Sequence, residues 1–401
     1  MLPPPCYVLG LESQIGLALV RELGRAGIPV IGITQNPNAI GLRSRYLTGT
    51  LIQKDLKSEA GLRSLRELGN RFGAGVLLAI SETNIAWLID HKHELGNIRP
   101  IVPTKEVFAY ALNKMQTLDA AAEVGIDIPK SVIPTSWVMV EQIAGNFPFP
   151  AVMKWPDPNA VASLLSQHDL AFEKAEHVRN SEEFLVAAKR YQSIGCWPML
   201  QEYCPGVGLG QFFFMHQGRA VRRFQHMRVA EWPPEGGFSS VCDGLPLERF
   251  QSLQDNSIKL LQKIGWEGVA MIEYRYDAIR DRAVLMEING RFWGSYPLAV
   301  ASGAGFGLYA YNVGTRREIP EISPIKTGLR CRMISTEIKR LFRIIFQPKK
   351  ITDPCFTRKP INEVLRFIAN FLRPNVSYYV WSFDDPKPFF ADLANYVFRR
   401  Q

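Results

Sequence analysis

Two apolar, strand-like runs in the second half of the chain each carry a single acidic residue. Glu273 lies in GVAMIEYRY (268–276), and Glu287 lies in AVLMEIN (283–289). The polar stretch DAIRDR between them predicts a turn that joins two adjacent antiparallel strands. This pairing would bring the two carboxylates together on one sheet, which strongly limits how the chain can fold.

The second run ends in polar residues at alternate positions. Glu287, Asn289 and Arg291 should point to the same side, because side chains alternate along a strand. With Glu273 they offer oxygen ligands that suit Mg²⁺, which binds a few carboxylates together with phosphate oxygens. The alternative is that each acid lies on a solvated strand face or pairs with Arg275 or Arg291.

The composition is that of a globular protein. The chain has 401 residues, 47% of them hydrophobic and 21% charged, which allows two or three domains. The six cysteines form no CxxC pair, which favours a reducing compartment. The start of the chain lacks a cationic leader, and no apolar run approaches the roughly 20 residues of a membrane span. We therefore expect a soluble, cytoplasmic protein.

The net charge of +9 is concentrated near the C-terminus. Residues 321–401 contain 15 basic and 7 acidic residues, whereas the rest of the chain is almost neutral. Apolar residues recur at helical spacing in ISTEIKRLFRIIF (334–346), and residues 363–372 are similar. Such helices would either lie on an anionic membrane surface or pack on the body with a basic face in solvent. No recognised module supports nucleic-acid binding.

The N-terminal segment predicts a βαβ unit. PCYVLGLESQIGLALVRELGRAGIPVIGIT is a strand, a glycine turn, a helix that ends at Gly27 and a second strand, and AGVLLAI (74–80) predicts a further parallel strand. Residues 1–105 therefore predict a doubly wound α/β domain. GLESQIG is not GxGxxG, which disfavours dinucleotide binding and a nicotinamide-dependent oxidoreductase.

Other candidate binding residues lie between these regions. Lys154 ends the strand PAVMK, and a lysine at such a position can serve as a point charge for phosphate oxygens; Lys114 is a similar candidate. QEYCPG (201–206) ends a strand at a Pro-Gly turn, where backbone groups and an acid can read an adenine edge. The alternatives are surface lysines and an ordinary strand end.

The ordered set of these pieces resembles the ATP-grasp enzymes, in particular their carbamoyl-phosphate-synthase-like branch, over roughly residues 5–315. The resemblance implies an α/β fold: a doubly wound pre-ATP-grasp domain (1–105) and an α+β, two-lobed ATP-grasp domain (106–320), with its small lobe at about 125–205 and its large lobe at about 206–320. A basic, helical C-terminal extension (321–401) follows. The glycine-rich phosphate flap of the family is not obvious in residues 155–174, where the nearest candidates are the loop 159–163 and Lys174.

The resemblance also implies roles for individual residues. Lys114 and Lys154 correspond to lysines that contact the ATP phosphates, and Arg291 to the arginine that holds the transferred phosphoryl group. His226 and Arg228 fall where several members place groups that face the γ-phosphate or the substrate. The adenine hinge would be Gln201, Glu202, Tyr203 and Cys204, and the metal ligands would be Glu273, Glu287 and Asn289. The aromatic residues Trp155, Trp232, Trp293 and Tyr296 are candidates to line the substrate pocket.

The activity implied by the resemblance is ATP-dependent ligation with two Mg²⁺ or Mn²⁺ ions as cofactors. A small-molecule carboxylate would be activated as an acyl phosphate and joined to an amine, with release of ADP and phosphate. A carboxylate–thiol ligase and a non-catalytic nucleotide-binding scaffold remain as alternatives. Oligomerisation and peripheral contact of the basic extension with the inner membrane surface are also left open.

Overall fold

The structure, a computed structural model, describes residues 3–173, 175–319, 323–353 and 356–398. Its N-terminal part is a five-stranded parallel sheet with strand order β3-β2-β1-β4-β5 and helices between the strands. The elements are β1 (Cys6–Leu9), α1 (Gln14–Arg25), β2 (Val30–Thr34), β3 (Leu47–Ile52), α2 (Glu59–Phe72), β4 (Gly75–Ala79), α3 (Glu82–His91) and β5 (Ile98–Pro100). The predicted doubly wound domain is confirmed.

The turn between β1 and α1 depends on close backbone approach. Gly10 has a φ of +112°, and a Cβ on Gly16 would lie 1.9 Å from the Gly10 carbonyl oxygen. Ser13 caps α1 by accepting a hydrogen bond from the amide of Ile15. Close packing of α1 on the turn therefore accounts for glycine at positions 10 and 16. A bound dinucleotide is not needed to explain these two residues.

The middle of the chain forms a small antiparallel lobe. Two helices, α4 (Lys105–Leu112) and α5 (Lys114–Ala122), precede it. Its four strands have the order β6-β9-β7-β8 and are covered by three helices. The elements are β6 (Ser131–Val132), α6 (Trp137–Asn146), β7 (Ala151–Lys154), α7 (Pro158–Gln167), β8 (Glu176–Val178), α8 (Ser181–Lys189) and β9 (Met199–Glu202).

The large lobe contains the predicted pair of acid-bearing strands. They lie at one edge of a seven-stranded sheet with the order β14-β13-β10-β11-β12-β15-β16. The elements of the lobe are β10 (Val207–His216), β11 (Arg219–Trp232), β12 (Phe238–Gly244), α9 (Gln251–Lys263), β13 (Gly268–Asp277), β14 (Arg282–Asn289), α10 (Tyr296–Ala301) and α11 (Phe306–Gly314).

The C-terminal extension is joined to this sheet. It supplies β15 (Arg330–Arg332), which pairs with β12, and β16 (Val376–Tyr378), which pairs with β15. Its helices are α12 (Ile334–Phe346), α13 (Pro360–Leu372) and α14 (Lys387–Phe398). The extension is thus helical as predicted, but it also contributes two strands that the sequence did not reveal.

One apolar core connects the N-terminal sheet, the large lobe and the C-terminal extension. It contains Leu17 of α1, Phe212 of β10, Trp293 and Tyr296 near the start of α10, and Tyr379 of the extension. This shared core holds the carboxyl ends of the N-terminal parallel strands beside the acid-bearing edge of the large sheet.

Candidate active site

The two acidic residues of the large sheet lie directly opposite each other. Glu273 of β13 pairs in register with Glu287 of β14, while Ile272 and Ile288 beside them are buried. The register shifts between Glu273 and Tyr274, so that Met286 is an additional residue on β14. Such a bulge re-aims the side chains next to it and is common near functional sites.

The polar residues after Glu287 form a connected chain of hydrogen bonds. The Asn289 amide nitrogen donates to Glu287 Oε1 at 3.1 Å, and Arg291 Nη2 donates to Asn289 Oδ1 at 2.9 Å. Lys114 Nζ, at the start of α5, lies 3.7 Å from Glu287 Oε2. Glu287, Asn289 and Arg291 are thus linked to one another, as expected for side chains on the same side of the strand.

Two glycines in β10 make room for basic side chains above the sheet. Gly210 pairs with both Glu273 and His226, so the three residues form one row across β13, β10 and β11. A Cβ on Gly210 would lie 2.7 Å from His226 Nε2, and a Cβ on Gly208 would lie 2.4 Å from Arg228 Cδ. The His226 and Arg228 side chains therefore lie over the glycines on the side of Glu273.

Arg228 bridges two carboxylates. Its Nη2 donates to Glu273 Oε2 at 2.6 Å and its Nη1 donates to Glu231 Oε1 at 2.8 Å. Arg275 Nη1 also contacts Glu231, at 3.3 Å. Burial disfavours the charged form of Glu231, but Arg228 and Arg275 outweigh it and lower the pKa of that carboxyl. Glu231 was missed in the sequence because it lies just before the Pro-Gly-rich stretch 233–237.

Glu273 differs from Glu231 in its electrostatics. Burial raises the pKa of Glu273, and the charges of Glu287 and Glu231 add to the rise, although Arg228 opposes it. The ionised form of Glu273, which faces the Glu287 carboxylate, would be stabilised by additional positive charge nearby.

His226 is buried and contacts Ser295. Its Nδ1 lies 3.0 Å from the Ser295 hydroxyl, and its ring packs edge-to-face on Phe212. Burial lowers the pKa of His226 well below its usual value, with the charge of Arg228 acting in the same direction. Nε2 is buried and has no hydrogen-bond partner within the described residues.

The two predicted phosphate lysines come from different elements, Lys114 from the start of α5 and Lys154 from the end of β7 in the small lobe. Lys154 Nζ donates to Gln201 Oε1 at 3.1 Å, and the Gln201 amide donates to Ser131. Burial lowers the pKa of Lys154, whereas the charge of Glu287 opposes this shift. The backbone amide of Lys114 bonds to the carbonyl of Pro156, two residues beyond Lys154. This contact holds the two lysines on adjacent segments.

The predicted adenine hinge lies at the end of β9. Glu202 accepts a hydrogen bond from the Lys130 amide at 2.9 Å, and Cys204 is buried. Tyr203 donates from its hydroxyl to Asp353 of the extension at 3.1 Å. In this structure the Glu202 carboxylate therefore accepts a hydrogen bond from the backbone. A contact between Glu202 and the amine of adenine stays a prediction.

The segment that should contain a phosphate flap is partly helical. The connection from β7 to β8 includes α7, which contains all of residues 159–163, so the expectation of a loop there is wrong. The other flap candidate, Lys174, lies outside the described residues.

The N-terminal domain borders the site from the opposite direction. Glu82, at the start of α3, lies 3.4 Å from Arg291 Nε. Gln14, at the start of α1, donates to the Gly294 carbonyl at 3.0 Å. The segment after β14 is thus held between the large sheet and the carboxyl ends of the N-terminal strands.

Three aromatic residues that we expected to line the pocket belong instead to the interior. Trp293 is stacked on Phe212 with ring centroids 4.0 Å apart. Tyr296 is fully buried and bonds to Glu22, and Trp155 packs edge-to-face on Tyr191 inside the small lobe. Large apolar area favours the interior over a solvent-lined pocket, so these three expectations are wrong.

The predicted metal ligands suit a magnesium ion that also binds phosphate. Within the described residues, no group of three or more His, Cys, Asp or Glu side chains is placed to hold a metal. Glu273, Glu287 and Asn289 provide two carboxylates and one amide, and Mg²⁺ commonly completes such a set with phosphate oxygens and water. The residues therefore fit Mg²⁺ when it arrives together with a phosphorylated ligand.

Comparison with protein families finds one match, in the same part of the chain. The family described as "Carbamoyl-phosphate synthase L chain, ATP binding domain" matches residues 241–314. The matched region contains Glu273, Glu287, Asn289 and Arg291, but neither lysine. No curated protein sequence matches the chain.

Solved structures with the same fold cover most of the chain. The biotin carboxylase domain of 2-oxoglutarate carboxylase from Hydrogenobacter thermophilus, solved with MgADP, ADP and bicarbonate, has a TM-score of 0.62 and 15% identity over 81% of this chain and 73% of its own. Biotin carboxylase from Campylobacter jejuni has a TM-score of 0.63 and 14% identity over 82% and 75%. L-amino acid ligase from Bacillus licheniformis has a TM-score of 0.58 and 14% identity over 81% and 78%.

Proposed function

We propose that this chain, whose fold is similar to those of biotin carboxylases and an L-amino acid ligase, is an ATP-dependent ligase that joins a small-molecule carboxylate to an amine. The observation that carries the proposal is the convergence of two facing carboxylates with cationic and amide groups from three parts of the chain. These groups are Lys114, Lys154, Glu273, Glu287, Asn289 and Arg291.

The proposed reaction has two steps. A carboxylate oxygen of the substrate forms a bond to the γ-phosphorus of ATP, the bond from that phosphorus to the bridging oxygen breaks, and ADP leaves. The amine then attacks the acyl carbon, phosphate leaves with the C–O bonding pair, and the amine loses a proton. Enzymes catalyse such transfers mainly by positioning reactants and stabilising charge.

The protein's own groups have distinct roles in this proposal. Lys114 and Lys154 bind phosphate oxygens, and Arg291 stabilises the transferred phosphoryl group. Glu273, Glu287 and Asn289 hold Mg²⁺, which when bound offsets the negative charge of the phosphates.

The two residues on β11 act beside this set. Arg228 is already bonded to Glu273 and Glu231, so it fixes the position of Glu273. His226 stays neutral and offers a hydrogen-bonding nitrogen, Nε2, above Gly210.

The activity is tested by measuring ADP and phosphate release from Mg-ATP with a panel of amino acids, hydroxy acids and sugar acids, each paired with amines. Substrate-dependent ADP release that requires the amine, with formation of the amide, is expected. Release that requires a thiol instead would identify a carboxylate–thiol ligase. If no pair stimulates ADP release, the ligase assignment is wrong and a scaffold role is favoured.

The Glu287→Gln variant tests the site itself. It removes one carboxylate charge but keeps the shape of the side chain, so we expect turnover to fall by roughly two to three orders of magnitude with the fold intact. Glu248→Gln, an exposed glutamate of the same lobe, is the matched control and should retain wild-type activity. Normal ATP turnover in Glu287→Gln would contradict the assignment.

A further inference from the structure

Helix α12 of the extension has its polar side toward the protein body and large apolar side chains toward solvent, which is the reverse of an ordinary surface helix. Its buried residues are Thr336, Glu337, Arg340 and Ile344, and all but the last are polar or charged. Its large apolar side chains Ile338, Phe342 and Phe346, spaced four residues apart, are 47–69% exposed. A stripe with this spacing lies on one helix face, and here that face is directed to solvent.

Helix α13 shows the same inversion. Asn370 is its buried residue, and Glu363 bonds to Arg340 of α12. The apolar residues on the opposite side are 55–84% exposed: Ile361, Leu365, Ile368 and Leu372. The two helices pack against each other, so their apolar stripes belong to one region of the surface. We call these seven exposed side chains the apolar face of the extension.

Specific bonds fix the orientation of both helices. Glu337 pairs with the buried Arg332 at 2.8 Å, and Arg340 Nη1 donates to the Glu231 carbonyl at 3.0 Å. Arg330 Nη1 donates to Asn370 Oδ1 at 2.6 Å. Turning either helix to bury its apolar stripe would break these bonds and leave buried charges unpaired, which is costly.

The polar sides of α12 and α13 are thus bonded to the rest of the protein. A contiguous apolar surface of this kind marks a site of interaction with another molecule.

Basic residues flank the ends of the two helices that carry the apolar face. Residues 334–373 contain nine basic and three acidic residues. The acids Glu337 and Glu363 are bonded to arginines, and Asp353 accepts from Tyr203. Exposed cations remain at Lys349, Lys350, Lys359 and Arg373. An amphipathic helix pair with apolar side chains outward and cations at its border matches the interface of an anionic bilayer.

We propose that α12 and α13 dock this protein on an anionic membrane surface, with the apolar face inserted among the lipid chains and the bordering cations at the headgroups. Each helix has 13 residues, and among the residues that the structure describes none forms a helix suited to crossing a bilayer. The helices would therefore lie in the plane of the interface. A second copy of the chain is a poorer partner, because two such faces would bring their exposed cations together.

Vesicle co-sedimentation of the full-length protein tests this proposal. We expect binding to mixed phosphatidylcholine–phosphatidylserine vesicles that weakens as salt is raised, and little binding to phosphatidylcholine alone. The double variant Phe342→Ser/Leu365→Ser should lower the partition coefficient at least about tenfold by removing inserted apolar area. Lys349→Glu/Lys350→Glu should lower it about tenfold on anionic vesicles.

The matched control changes exposed apolar residues elsewhere. Val138→Ser/Val186→Ser alters two exposed valines of the small lobe and should bind vesicles like the wild type. Unchanged thermal unfolding would show that all three double variants are folded. Failure of the wild type to sediment with anionic vesicles, or equal binding to both vesicle types, would overturn the proposal. So would light scattering that shows a dimer in solution which Phe342→Ser/Leu365→Ser dissociates.

Discussion

Two regions of this molecule surround carboxylates in opposite ways. Asp385 of the extension is almost fully buried, and it accepts hydrogen bonds from Arg21 Nε at 3.0 Å, Ser44 Oγ at 2.7 Å and the Arg45 amide at 3.0 Å. We call this group the extension clamp. Its charges are matched, and it joins the end of the chain to the N-terminal domain.

The candidate active site arranges its carboxylates differently. Glu273 and Glu287 face each other, with one arginine bonded to the first and Lys114 at 3.7 Å from the second. Burial and like charge raise the pKa of Glu273. In the clamp a buried carboxylate is paired with an arginine, whereas at the candidate active site two carboxylates face each other and like charge adds to the raised pKa of Glu273.

The largest expected effect comes from breaking the clamp. Asp385→Ala leaves the Arg21 guanidinium buried without its partner, so we expect the free energy of unfolding to fall by about 3–5 kcal/mol in urea titrations. The control is Asp384→Ala, which breaks an exposed pair with Arg25 and should cost about 1 kcal/mol or less. Equal losses in the two variants would show that the buried contacts have no special role.

Glu22 is a third enclosed carboxylate, and its surroundings differ from those of both regions. Glu22 accepts hydrogen bonds from the Tyr296 hydroxyl and from the Leu308 amide, but neither donor is charged. Burial raises the pKa of Glu22 from 4.5 to about 7, and the hydrogen bonds only partly offset this. The native state therefore favours the protonated acid, and this contribution to stability is lost as the pH rises from 4.5 to about 7.

The Glu22→Gln variant measures this loss. Gln cannot ionise, so between about pH 5 and about pH 8 its free energy of unfolding should rise relative to the wild type by about 2–3 kcal/mol. Urea unfolding of both proteins at the two pH values provides the difference. A difference that is independent of pH would mean that Glu22 titrates in the native state as it does in the unfolded chain.

The local pattern of residues was sufficient to predict the acid-bearing edge of the site. Alternation and a short polar turn placed Glu273 opposite Glu287, and Asn289 and Arg291 on the same face. Strand β15 could not be predicted in this way, because Arg330–Arg332 is short and charged and becomes buried only through partners distant in sequence. The glycines of β10 were visible, but only the structure shows which side chains lie over them.

The orientation of the extension helices also could not be predicted from the sequence. Their spacing predicted amphipathic helices, and one expectation was that they would pack with a basic face in solvent. Periodicity shows that a helix has an apolar side but does not show which side meets the body. The bonds of Arg332 and Arg340 decide this, because they hold the polar sides inward.

We expect the smallest change in the free energy of unfolding for Glu287→Gln, the variant that should weaken nucleotide binding most. Glu287→Gln relieves repulsion with Glu273, so without ligand its free energy of unfolding should equal or exceed that of the wild type by up to about 1 kcal/mol. Mg²⁺ alone should not stabilise either protein, because the site supplies only two carboxylates and an amide.

Mg²⁺ with ADP, at about a hundredfold above the dissociation constant, should stabilise the wild type by about 2.7 kcal/mol and leave Glu287→Gln unchanged. Thermal unfolding with each ligand combination measures these shifts, and Asp385→Ala should keep the nucleotide-dependent increment despite its lower baseline. If Glu287→Gln were instead as destabilised as Asp385→Ala, the facing carboxylates would be a structural pair, and the contrast between the candidate active site and the clamp would not hold.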